Sequence, residues 1–235
     1  MDKYSILKQY YGHSAFRAGQ EALIDAILSG RDALCVMPTG GGKSLCYQIP
    51  ALLLPGITLV VSPLISLMKD QVAALKSAGV PAAYINSSLT GEQIRTVYAR
   101  TRKGAYKLIY VAPERLETNS FLSLMQEMDV SFLAVDEAHC ISQWGQDFRP
   151  SYLGIVDFIN ALPRRPIVAA YTATATKQVQ SDILRLLQLQ SPYRIVTGFD
   201  RPNLYFDVRR PKNKFSALAA LIDERRGRSG IVYCA

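Results

Sequence analysis

The sequence has little from which a metal centre or a disulfide framework is built. Of its 235 residues, four are cysteine and two are histidine. Cys35, Cys46, Cys140 and Cys234 show no C-x-x-C spacing and no histidine cluster joins them, so no zinc site is expected, and scattered thiols suit a reducing compartment. The opening MDKYSILKQYYGH has no apolar leader segment, which argues against a signal peptide. An unbroken membrane span is missing too. No residue from Ser44 to Met68 is charged, but Pro50, Pro55, Gly56 and Pro63 divide that stretch into pieces too short to cross about 30 Å of hydrocarbon. A buried helix, a turn and a buried strand are expected there, with no membrane partner. Repeats and low-complexity linkers are absent.

Acidic residues are in the minority: 27 Lys+Arg stand against 19 Asp+Glu, a net charge of +8. A basic chain suits an anionic partner. Residues 201–235 hold eight basic and three acidic residues, however, so the tail carries +5 of the +8 and charge alone does not identify nucleic acid.

Apolar residues make up 49 %, ordinary for a globular protein, and the length fits one large domain or one domain plus a fragment of a second. Continuous apolar runs predict strands at 33–37, 57–62, 82–86, 108–112, 132–136, 167–172 and 194–197. Helical patterns fall between them at 20–29, 44–53, 67–77, 91–103, 114–127, 152–161 and 177–187. Strands that are apolar on both faces and alternate with helices predict an α/β fold, a doubly wound and mostly parallel sheet with helices on both faces. After residue 207 the chain turns basic and proline-broken. A helix-like segment at 215–226 follows, then an apolar strand from Gly230. A first domain over 1–207 is expected, with 208–235 the linker and truncated start of a second.

The stretch MPTGGGKS, Met37 to Ser44, nearly matches a phosphate-binding loop but has Met37 in place of the first Gly. Thr39 leads into Gly40, Gly41 and Gly42, which let backbone N–H groups converge on phosphate oxygens. Lys43 can reach the β- and γ-phosphates, Ser44 can ligate Mg²⁺, and the helix starting there adds its positive end. The run Phe132-Leu-Ala-Val-Asp136-Glu137 is an apolar strand ending in two acids, 93 residues after Lys43. Asp136 is placed to hold Mg²⁺ and Glu137 to orient and deprotonate the attacking water. Hydrolysis of a nucleoside triphosphate is the expected chemistry.

Asp136-Glu137-Ala138-His139 is a DEAH box, and with MPTGGGKS it resembles the first RecA-like motor domain of superfamily 2 helicases. The following Cys140-Ile-Ser-Gln-Trp-Gly-Gln-Asp-Phe-Arg-Pro150 is similar to the aromatic-rich loop of RecQ-type DNA helicases, as are Phe16–Gln20, Val60–Gln71, Tyr110–Arg115, Thr172–Thr176 and Gly198–Asn203. The resemblance implies ATP and Mg²⁺ as cofactors, DNA as partner, 3′–5′ strand separation in replication, recombination and repair, and a nucleoid, cytoplasmic or nuclear location. It implies adenine contacts from Arg17 and Gln20, with His13 or Tyr11 stacking on the base, and a catalytic role for His139. DNA binding or coupling is implied for Ser62, Lys69, Gln143, Trp144, Phe148, Arg149, Thr172 and Thr174. An RNA helicase or remodelling motor, a catalytically silent nucleotide-binding module and a small-molecule kinase remain alternatives from the residues alone. Only Arg225-Arg-Gly-Arg-Ser-Gly230 comes near the arginine-finger motif of a second motor domain, and it reads as a lead-in to that domain's first strand. Weak DNA binding and slow hydrolysis are therefore expected of this chain alone.

Overall fold

The structure is a computed structural model describing residues 1–198 and 204–233, which form two compact units divided near residue 199. The larger unit is built on seven parallel strands in the order β3-β4-β2-β5-β6-β1-β7. They are β1 (Ala33–Val36), β2 (Ile57–Val61), β3 (Ala82–Ile85), β4 (Leu108–Val111), β5 (Val130–Val135), β6 (Ile167–Thr172) and β7 (Tyr193–Val196). All seven expected strands form, and among the described residues the sheet is wholly parallel.

Alternation along each strand divides the core in two. Leu133 and Val135 of β5 join one cluster with Phe121, Phe158 and Ile183, while Phe132 and Ala134 join another with Leu23, Tyr47 and Met68. The first cluster is covered by α5 (Gly91–Arg102), α6 (Asn119–Gln126), α7 (Gly154–Ala161) and α8 (Lys177–Leu186), the second by α2 (Gln20–Leu28), α3 (Lys43–Leu53) and α4 (Ile65–Ser77). Both faces of the inner strands are therefore dry, which is why those strands are largely apolar, whereas the edge strand β7 alternates half-buried and exposed residues and carries Arg194.

Three elements depart from expectation. Residues 1–13 hold a helix, α1 (Lys3–Tyr11), that the sequence reading left out; the Asp2 carboxylate accepts from the Ser5 N–H at 2.7 Å and Gly12 closes it in the left-handed region. The single helix expected over 114–127 is a 3-10 turn at Pro113–Arg115 followed by α6, because the Thr118 hydroxyl donates back to the Arg115 carbonyl at 2.8 Å and the helix restarts after it. In the smaller unit α9 (Lys214–Glu224) forms, but the strand expected from Gly230 does not: residues 230–233 are irregular, and Cys234 and Ala235 lie outside the described residues. A strand requires a neighbour to pair its backbone, and here α9 buries no residue and Ile231 and Tyr233 are exposed. Most of the Gly198–Asn203 segment also lies outside the described residues. Among the described residues no helix is long and apolar enough to cross a membrane.

Pro50 sits inside α3 without breaking it. Proline removes one N–H and orphans the carbonyl four residues back; that carbonyl, of Cys46, accepts instead from the Tyr171 hydroxyl of β6 at 3.2 Å. Cys35, Cys46 and Cys140 are buried, and burial pushes the Cys35 and Cys140 thiols up to about 12 and Cys46 higher still. Since the thiolate is the nucleophile, all three are expected to alkylate at pH 8 at least about 100-fold more slowly in the folded chain than in denaturant. Peptide mapping after iodoacetamide treatment checks this, and free-thiol rates at Cys35 would contradict the burial.

Candidate nucleotide cleft and aromatic loop

The phosphate-type loop joins the end of β1 to the start of α3. Gly42 caps α3 with φ +84°, and a Cβ there would run into the Gln20 amide, so both backbone conformation and space call for glycine. Gly41 is similarly hemmed, by Met37 and the Pro38 carbonyl. Met37 thus occupies the first-Gly position as a buried packing residue, and its N–H is held by the Thr172 carbonyl at 3.0 Å.

The segment before α2 fastens onto this loop. Gln20 is buried; its amide donates to the Gly41 and Gly42 carbonyls, both at 3.2 Å, while its oxygen accepts from the Arg17 N–H at 2.8 Å. The Arg17 guanidinium donates to the Gly40 carbonyl at 2.6 Å. The expected adenine-contact pair is therefore also a brace for the phosphate loop. Lys43 reaches across the loop to the Met37 carbonyl at 3.0 Å.

These groups border a cleft of about 410 Å³ with Thr39, Ser44, Asp136 and Glu137. His13 lines it; Tyr11, the other stacking candidate, is not among its lining residues and has a buried hydroxyl. Asp136 is the first residue past β5, its N–H held by the Val61 carbonyl at 2.8 Å. It is 7 % exposed. Burial, and next the Glu137 carboxylate, push its pKa up to about 6, against the opposing pull of the Glu137 N–H and Lys43. Glu137 adopts φ +46°, the left-handed region that non-glycine residues seldom occupy, and this turns the chain sharply at the end of the strand. Among the described residues no cluster of three or more His, Cys, Asp or Glu side chains can hold a metal unaided. One buried carboxylate and one helix-start hydroxyl on the same cleft instead suit an ion that draws its remaining ligands from water and phosphates, as Mg²⁺ does.

His139 does not line the cleft. Its Nδ1 lies 2.9 Å from the Thr172 hydroxyl and 3.3 Å from a Glu137 carboxylate oxygen. Thr172 gives its one proton to the Thr174 carbonyl at 3.1 Å. The network therefore assigns the imidazole proton to Nδ1, donated to Thr172. The DEAH segment and the end of β6 are thereby bridged through Glu137, His139, Thr172 and Thr174. Tyr152 adds a link the sequence reading missed, its buried hydroxyl donating to the Asp136 carbonyl at 2.8 Å.

The aromatic loop follows directly. Trp144 is 74 % exposed, Gln143 is exposed and Phe148 half-buried. Trp144 is thus no core tryptophan. Arg149 donates to the Pro63 carbonyl at 3.2 Å, tying the loop to the segment after β2, and pairs with Asp147 at 2.7 Å. Ser62 and Lys69 separate: Lys69 is exposed, whereas the Ser62 hydroxyl is buried without a partner among the described residues, away from any surface contact.

The sequence pattern of the DEAD/DEAH box helicase family matches residues 17–182. Over 232 residues the chain is 48 % identical to the ATP-dependent DNA helicase RecQ of Bacillus subtilis, covering 98 % of this chain and 39 % of that protein. It is 39 % identical over 241 residues to the ATP-dependent DNA helicase Q1 of Pongo abelii, covering 97 % and 37 %. It thus spans little more than a third of these relatives' length. The crystal structure of the helicase MrfA shares the fold at a TM-score of 0.70 and 18 % identity, over 95 % of this chain and 37 % of that one. The chain belongs to the DEAD/DEAH box helicase family, and its similarity to RecQ DNA helicases runs over nearly its whole length.

Proposed function

We propose that this chain is the first RecA-like motor domain of a RecQ-type, 3′–5′ ATP-dependent DNA helicase, with residues 1–207 as that domain and 208–235 leading into a second. The observation that carries the reading is the convergence on one cleft of Arg17, Gln20, the 39–44 loop, Asp136 and Glu137, with the exposed Trp144 seven residues after Glu137 on a loop fastened to the same frame. Lys43 and the loop N–H groups receive the phosphates, and Arg17 and Gln20 face the base. Ser44 and Asp136 would hold Mg²⁺, which when bound neutralises charge on the phosphates. Glu137 orients and deprotonates the attacking water. The Glu137–His139–Thr172 bridge passes the state of the cleft to β6, and Trp144 and Phe148 stack on exposed bases, which contributes about 1–3 kcal/mol per base.

Lys43→Ala is expected to weaken binding of a fluorescent ATP analogue at least about tenfold, and unchanged affinity would remove the cleft from consideration. Among the described residues Arg17 is the one arginine bordering the cleft, and it is committed to the Gly40 carbonyl, so no arginine among them is left to stabilise the transferring phosphoryl group. In GTPases such an arginine contributes about 10³–10⁵ in rate. The 235-residue chain by itself is therefore expected to bind Mg-ATP but to hydrolyse it slowly and not to unwind duplexes. Helicase-like turnover stimulated by single-stranded DNA would overturn this, and stimulation by RNA instead of DNA would favour an RNA motor.

A further inference from the structure

The aromatic loop is attached to the body by a hydrogen-bond relay that no part of the nucleotide chemistry uses. Ser142, fully buried at the foot of the loop, donates its hydroxyl proton to the Asp182 carboxylate at 2.7 Å. The same oxygen accepts the Trp144 N–H at 3.2 Å. Asp182 lies on the second turn of α8, and its other oxygen is held by Arg185 at 3.1 Å. Ser142 and Arg185 together keep the carboxylate below the usual range. Further along the loop the Gly145 N–H bonds the Ser142 carbonyl at 2.9 Å, and a Cβ on Gly145 would strike the His139 carbonyl. The loop is therefore folded tightly onto the DEAH segment, and among the described residues the side-chain hydrogen bond that anchors it to α8 is the Ser142–Asp182 pair.

The geometry of that anchor has a second consequence. α8 begins shortly after Thr172, whose hydroxyl His139 engages, and Thr174, to whose carbonyl that hydroxyl donates. The segment from Glu137 to Trp144 is thus stapled twice to the β6–α8 segment, by His139 on Thr172 and by Ser142 on Asp182. The first staple reads the cleft; the second holds the tryptophan.

We propose that Ser142 and Asp182 are positioning residues that fix Trp144 for its encounter with nucleic acid, with Asp182 serving as acceptor for a serine hydroxyl that in turn accepts the tryptophan's own backbone N–H. The proposal rests on the DNA-motor reading for its effect on binding, but not for its effect on loop order. A hydrogen bond to a charged acceptor is stronger than a neutral one, and its loss from a buried hydroxyl is not made good by water. Loosening the loop reduces the fraction of chains competent to stack, and apparent affinity falls by that fraction.

Trp144 is the chain's only tryptophan, so its fluorescence reports the loop alone. In the 235-residue chain, Ser142→Ala and Asp182→Ala are each expected to lower the Trp144 steady-state anisotropy and to raise Kd for an oligothymidylate of roughly 16 nucleotides about 3- to 10-fold. Affinity for a fluorescent ATP analogue should stay within about twofold. Asp182→Asn, which keeps an acceptor oxygen, is expected to retain most of the anisotropy. The double variant should be no worse than Ser142→Ala, which already removes the bond that Asp182→Ala breaks. Unchanged anisotropy in both alanine variants would overturn the proposal, and so would losses that add in the double variant. If oligothymidylate binds none of the variants nor the parent chain, the DNA reading fails, while the anisotropy still decides the positioning role.

Discussion

Glu137→Gln is expected to reduce ATP turnover about 10³-fold while leaving ATP affinity within a factor of about two, because a positioned general base contributes roughly 10²–10⁴ in rate. The substitution is nearly isosteric. The amide can keep its place beside His139, 3.3 Å from the carboxylate oxygen, but it cannot accept the proton of an attacking water. Single-turnover hydrolysis, compared with the unsubstituted protein under the same conditions, reads the effect directly. A loss under tenfold would move the base role elsewhere. Glu137→Gly adds a second arm. Glu137 holds φ +46°, where a non-glycine residue costs on the order of 1 kcal/mol or more. Glycine relieves that cost while removing the carboxylate, so this variant should lose turnover as fully as the glutamine one yet unfold within about 1 kcal/mol of the parent. A Glu137→Gly variant as stable as the parent but inactive would mark the strained conformation of Glu137 as a functional constraint.

The parts of this molecule that were readable in advance are those where one physical requirement acts on consecutive residues. Strands covered on both faces must be apolar on both, so 33–37 or 132–136 stand out as runs. A loop wrapping phosphate must be free of Cβ atoms, so Gly40, Gly41 and Gly42 announce themselves. What escaped are features set by contacts distant in sequence. α1 has only Ile6 and Leu7 fully buried, too few to print a helical period. The break at Thr118 comes from one hydroxyl turning back on Arg115. Ser142 and Asp182 are 40 residues apart, and neither is unusual for a loop or for a helix surface. Gln20, expected to contact adenine, has a further duty that no local pattern shows: its amide braces Gly41 and Gly42, so Gln20→Ala is expected to loosen the 39–44 loop. His139, expected in a catalytic role, stands where the chain turns toward β6, its Nδ1 beside the Thr172 hydroxyl and a Glu137 carboxylate oxygen.

Asp32→Ala is expected to lower the stability of the larger unit by about 3–4 kcal/mol, a loss typical of breaking a buried ion pair. Asp32 stands immediately before β1 and its side chain is only 2 % exposed. It takes two bonds from Arg165 at 3.1 and 2.6 Å, one from the Val168 N–H at 2.9 Å and one from the Gln190 N–H at 2.7 Å. Its own carbonyl accepts from the Tyr193 N–H at 2.8 Å. One residue therefore ties β1 to β6 and to the entry of β7, the two neighbours of the strand that carries the phosphate loop. Truncation leaves the buried Val168 N–H without its partner, at a cost of about 1–3 kcal/mol, while the Gln190 N–H, on an exposed residue, can turn to water. The Arg165 side chain is 28 % exposed and can recover some hydration, which holds the total near the lower end of the range. Asp32→Asn keeps acceptor oxygen and loses charge, and should cost about half as much. For a unit of this size, 3–4 kcal/mol corresponds to a fall in Tm of roughly 10 °C, readable by calorimetry. Below the transition the cleft should bind the ATP analogue almost normally, since no atom of Asp32 borders it. A variant that melts within about 2 °C of the parent would show that the ladder bonds of β1 to β6 and β7 suffice without the aspartate. One that keeps its Tm but loses nucleotide affinity would mean that Asp32 acts on the position of the phosphate loop and not on the strength of the sheet.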